Sequence, residues 1–143
     1  LLTSLLFMGL FYMVFTNLDK VQTIAHIEFA FITLADYILF LKSNKNILTH
    51  TDNNSISTHI ESIVDMMVYE LYFTEHMKEK GLNVLEFLNP KPFNEETNTQ
   101  QKEEIIKSFY EWYQEPENAI RQRILLIETR SPNVLALINS STI

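Results

Sequence analysis

The groups in this sequence best suited to chemistry are its three arginines. Arg121, Arg123 and Arg130 are the only ones in the chain, and all fall within ten residues. A guanidinium offers a planar fork of donors that matches a phosphate, so the cluster is a candidate DNA-backbone contact. Its competing use is ion pairing with the nearby Glu115, Glu117 and Glu128. The four histidines, His26, His50, His59 and His76, stand in neither H-E-x-x-H nor Glu-x-x-His spacing, so they are expected to be structural or exposed. Glu61 and Asp65 share a helix face but read as a solvated strip rather than a metal dyad. The aromatics Tyr69, Tyr72, Phe73, Phe109, Tyr110, Trp112 and Tyr113 suit either a base-stacking platform or a core. With only two glycines, neither a nucleophile elbow nor a phosphate-cradling loop is present. No catalytic, cofactor-binding or metal-binding residue is assigned.

The elements that would carry these groups read as helices. Apolar residues at Val21, Ile24, Ile27, Phe31, Leu34, Ile38 and Leu41 predict a helix over 20–43. A second apolar face, Phe29, Ala30, Ile32, Ala35, Leu39 and Phe40, predicts a central helix with partners on more than one side. Residues 43–55 read as a loop, with His50 and Asp52 solvated. A longer helix is expected over 55–80, entered by the capping-box pattern 58–61 and stopped by Gly81. Its core would include Met67, Leu71 and Phe73. A short helix over 83–88 ends at Pro90 and Pro92. Residues 94–115 predict a helix with Glu95 and Glu96 in its first turn, and 117–129 another. Ser131-Pro132 is an N-cap followed by proline, opening a last helix over 134–139. The expected fold is all-α, an irregular bundle of about five helices. It comprises an apolar N-terminal segment, 1–18, and a helical domain, 19–143.

Scarce glycine and proline argue against turn-rich sandwiches and barrels. The absence of cysteine excludes disulfides and thiolate metal sites, and is compatible with a cytoplasmic location. The net charge of −7 arises wholly within 51–143, which hold fifteen acids and eight bases. A duplex-tracking surface should be basic, so direct DNA binding by this chain is disfavoured. Residues 1–18 carry no charge; a buried helix or strand fits them better than a membrane span or signal segment. The first residue is Leu, which points to a piece of a longer polypeptide.

Four stretches carry a family resemblance: 35–42 (ADYILFLK), 65–73 (DMMVYELYF), 75–82 (EHMKEKGL) with its sequel 84–88 (VLEFL), and 118–132 (NAIRQRILLIETRSP). In this order they resemble the C-terminal helical tail of bifunctional type II restriction–modification enzymes. Those are S-adenosylmethionine-dependent adenine-N6 DNA methyltransferases, often fused to a nuclease. The resemblance covers roughly residues 30–135. The family's catalytic Asn-Pro-Pro-aromatic motif and its glycine-rich cofactor loop are absent. Asn89-Pro90-Lys91-Pro92 departs from the former, with Lys91 at the second proline and Pro92 at the aromatic. The resemblance therefore implies a non-catalytic accessory domain packed against the methyltransferase and target-recognition regions of a parent enzyme. S-adenosylmethionine would belong to that parent, and DNA would be met only indirectly. The alternatives are a free-standing helical protein–protein interaction module and, third, a membrane-associated protein anchored by residues 1–18.

Overall fold

A computed structural model describes residues 18–141. The apolar segment 1–18, expected as helix or strand, lies outside the described residues except for Leu18. Among the described residues there are six α-helices and no strand: α1 Leu18–Ser43, α2 Asn53–Tyr72, α3 Thr74–Glu79, α4 Thr99–Gln114, α5 Ala119–Arg130 and α6 Pro132–Ser141. A 3₁₀ turn, Leu85–Phe87, stands where the sequence suggested a short helix. The all-α expectation holds.

α1 and α2 form the principal pair. Ala30, Leu34, Tyr37 and Leu41 recur every three to four residues and bury one face of α1. Ile56, Ile60, Ile63 and Met67 do the same for α2. A 2.9 Å ion pair between Lys42 and Glu61 ties the end of α1 to the third turn of α2. Both side chains are about half exposed, so it orients the helices more than it stabilises them. From that anchor the helices run antiparallel, and equal rise places Tyr72 level with about residue 31. The first half of α1 therefore extends past α2. Accordingly, no described side chain of α1 before Ala30 is fully buried.

The helix expected over 55–80 is two helices. It starts earlier, where Asp52 accepts from the Ser55 backbone N–H at 2.7 Å. Thr58 is exposed within α2 and donates to the Asn54 carbonyl, so the capping-box wording 58–61 caps nothing. The break falls at Phe73, whose backbone leaves the helical region. Tyr72, Phe73 and Thr74 are all modest helix formers, and Thr74 bends the chain by donating back to the Glu70 carbonyl. Leu71, expected in the core, is 47% exposed because it sits in the last turn before this break. Gly81 does end the next helix. Its φ of 63° is the left-handed conformation that glycine adopts without strain. The Leu82 and Gly81 N–H groups return to the Met77 and Lys78 carbonyls, and Leu82 and Met77 are both fully buried.

α4 also begins later than expected. Glu95 and Glu96 occupy a turn outside it, built on Asn94 and Thr97. The true cap is Asn98, paired reciprocally with Gln101. Ser131 and Pro132 open α6 as the sequence indicated. The expectation of partners on more than one side of α1 is met in part: Ala30 is buried and Phe40 packs on Phe93, whereas Phe29, Ile32 and Leu39 are 46%, 56% and 63% exposed and are left open among the described residues.

Two buried polar side chains hold the irregular segments. Asn53 donates to the carbonyls of Leu41, Asn44 and Lys45 and accepts from the Ile47 N–H. The residues between α1 and α2 are thus wrapped around one amide. Glu70 accepts from the Val84 and Leu85 N–H groups at 2.6 and 2.9 Å, pinning the strap after α3 (residues 82–98) onto α2. Replacing Asn53 with Ala would orphan several buried backbone groups. It is expected to cost about 2–4 kcal/mol by chemical denaturation. A cost below about 0.5 kcal/mol, the level of an ordinary surface change, would refute that role.

Candidate functional site

The three arginines do not form one phosphate fork. Arg121 donates to the Gln114 carbonyl at 3.1 Å, closing the end of α4. Arg123 donates to the Ala119 carbonyl and lies 4.3 Å from the Phe87 ring centroid. Its Nε is buried without a partner. Arg130 is exposed and reaches the Lys80 carbonyl beside Gly81. None of the three pairs with Glu115, Glu117 or Glu128 among the described residues; backbone carbonyls take that part instead. A guanidinium carries five donors, so one carbonyl each does not exhaust them, but only Arg130 is exposed.

The histidines divide into two exposed and two structural. His26 and His50 are exposed. His76 Nε2 and Ser131 Oγ share a 2.6 Å hydrogen bond between α3 and the α5–α6 junction. Ser131 is 2% exposed, so this pair fastens two helices and presents no accessible nucleophile. His59 packs among Tyr110 and Tyr113, its Nδ1 3.2 Å from the Tyr110 hydroxyl. Burial, and secondarily the Arg121 charge, hold its pKa below the ordinary value of 6.5. Burial also raises the Tyr110 and Tyr113 phenols.

Glu61 is committed to Lys42, whose hydrogen bond lowers its pKa. Asp65 is raised, by desolvation first and by Glu61 second. Among the described residues no group of three or more His, Asp or Glu could hold a metal ion. The aromatics expected as platform or core are mostly core. Phe109, Tyr110 and Tyr113 are buried and Trp112 is half-buried, whereas Tyr72 is exposed on another helix.

Two surfaces remain open that the sequence marked only as apolar or aromatic, not as sites. The first is the outward face of α1. Ala25, Phe29, Ile32, Asp36 and Leu39 follow one another at alternating spacings of four and three, which aligns them as a helix-packing seam. Their spacing was legible, but their exposure was not. At the same level as this seam, Leu71 and Tyr72 are exposed on α2. The stretch Thr23–Ser43 is also long and apolar enough to cross a membrane, with a third of it buried. It carries Glu28 and Asp36, and an aspartate at the centre of a spanning helix costs roughly 2.5–3.5 kcal/mol.

The second is a cleft of about 520 Å³ between α4 and the strap, walled by Tyr37, Phe87, Phe109 and Trp112. Asn89, Pro90 and Lys91 form its rim, and the Tyr37 hydroxyl donates to the Lys91 carbonyl. No family model, no curated protein and no solved structure matches this chain.

The His59 environment has a testable consequence. The fold favours the neutral imidazole, whereas the unfolded chain protonates near 6.5. Stability from this residue is therefore complete above pH 6.5 and lost as pH falls towards the depressed folded value. The His59 ring should titrate below 6.5 by NMR, and His59→Gln should reduce the loss of stability between pH 7 and pH 5.5. A ring midpoint at or above 6.5 would contradict the burial account.

Proposed function

We propose that this chain is a non-catalytic helical accessory domain of a type II restriction–modification adenine-N6 DNA methyltransferase, seated by α1 against the target-recognition region. The observation that carries the docking part is the uncovered apolar seam of Phe29, Ile32 and Leu39 on a helix otherwise built into the core. Such a seam exposes apolar surface that a partner would remove from water. The identity of the parent rests on the wording of 35–42, 65–73 and 118–132. In this reading DNA and S-adenosylmethionine are held by the parent's other regions. That fits an acidic chain whose arginines are spent on helix ends. The working location is the cytoplasm, where such enzymes meet DNA.

A second reading is favoured by the self-contained core, to which α1, α2, α4 and α5 all contribute. It is a free-standing interaction module that uses the same seam on a separate protein. The flanking coding sequence separates the two. The first requires an Asn-Pro-Pro-aromatic motif and a glycine-rich cofactor loop in the same frame or an adjacent gene. A solitary gene with no methyltransferase nearby would sink it.

On the complete enzyme, Ile32→Glu together with Leu39→Glu should expose the α1 junction to limited proteolysis and lower methylation. The isolated chain should keep its stability within about 1 kcal/mol, since both sites are exposed. Unchanged proteolysis and activity would remove α1 as the docking face. The isolated chain is also expected not to retain duplex DNA at physiological salt in a mobility-shift assay. Tight binding abolished by changing Arg130 would instead restore it as a contact.

A further inference from the structure

We infer that the groove between α4 and the strap binds a short, extended, proline-rich peptide that carries a lysine or arginine at one end. The inference is independent of the parent enzyme and of the α1 seam.

The shape comes first. The aromatic cleft continues into a second cleft of about 470 Å³, and the two share Lys91, Glu104 and Ile105. Together they follow α4 from Gln100 to Trp112, which is about 18 Å of helix rise. Such a trough suits an extended segment better than a compact small molecule. About six residues of polyproline II helix span it at roughly 3.1 Å each.

The lining selects the chemistry. One end has the buried rings of Tyr37 and Phe109 as its floor, and Trp112 and Phe87 as its accessible walls, against which prolyl rings pack; Arg123 covers one side of the Phe87 ring. The indole N–H of Trp112 and the side-chain amide of Asn89 make no hydrogen bond among the described residues, so both are available to peptide carbonyls. A polyproline II segment leaves its carbonyls free and brings few N–H groups to be orphaned in an apolar groove. The other end carries Glu96, and Glu104 stands with Lys91 at the junction of the two clefts. Among the described residues Glu96 has no ion pair, and Glu104 has only Lys107 at 3.9 Å. Lys91 alone supplies positive charge to the lining, and residues 51–143 supply the whole net charge of −7. A basic residue beside the prolines is therefore the complementary charge. The groove wall itself contains Pro90-Lys91-Pro92, whose Lys91 carbonyl accepts from the Tyr37 hydroxyl.

Trp112 is the only tryptophan in the chain, so its emission reports on this groove directly. The folded chain would be titrated with a capped peptide of six prolines followed by two lysines. Two controls replace the lysines with glutamates, or the prolines with alternating glycine and serine. The expected result is a saturable emission change with the first peptide, at least several-fold weaker with either control. Asn89→Ala should weaken binding about fivefold, and Glu104→Gln about two- to fivefold. Both residues are exposed, and far-UV circular dichroism would confirm that each variant remains folded. No response up to millimolar peptide would overturn the inference. So would an equal response to the glycine–serine peptide, or binding indifferent to both substitutions.

Discussion

Tyr37 is the residue on which the rest of the arrangement depends. Its ring is fully buried and lies 5.4 Å, centroid to centroid, from both Phe93 and Phe109. A buried phenol needs an acceptor, and the Lys91 carbonyl supplies it. Burial raises the phenol's pKa, so the hydroxyl stays protonated and stays a donor. One side chain of α1 thereby fixes the strap, orients α4 and builds a wall of the aromatic cleft. The long separation in sequence between Tyr37 and Lys91 makes this a constraint on topology rather than on local structure.

The same logic explains how a chain with so few glycines and prolines manages its irregular segments. Turns are not preset by backbone preference here. They are held from inside by buried polar side chains. The two N–H groups of the Asn53 amide are shared among three carbonyls, and its oxygen accepts one N–H, at the segment between α1 and α2. Glu70 receives two N–H groups from the strap. Each group would be costly if buried alone and is stable because its partners are complete. Gly81 is the position where backbone freedom itself is required.

Charge is used in a similar way. The arginines could have met phosphates or glutamates, yet they close the ends of α3 and α4 and cover Phe87. Helix C-termini leave carbonyls without intrahelical partners, and a guanidinium is suited to satisfy them. Arg121 and Arg123 are thus half-buried within the fold, Arg130 stays exposed at the end of α5, and the exterior is acidic on balance. What remains for a partner is apolar or aromatic: the α1 seam and the cleft beside Trp112.

The sequence by itself determined that the chain is helical, and it located most of the helices. Periodicity of apolar residues is a local property, and 20–43, 94–115 and 117–129 all carry it strongly. Gly81 and Ser131-Pro132 were legible for the same reason, since a left-handed residue and a capped proline act within one turn. The starts of α2 and α4 were not. Competing polar residues stand near both, and only the folded backbone selects Asp52 over Thr58 and Asn98 over the glutamates before it. Tertiary structure alone decided which apolar face of α1 is buried. Both faces have the right spacing, but α2 covers only one and extends along only half of it. It likewise decided that Leu71 is exposed and that the arginines point to carbonyls. Exposure and partnership depend on what lies across space, and a repeat of three and four residues does not encode that.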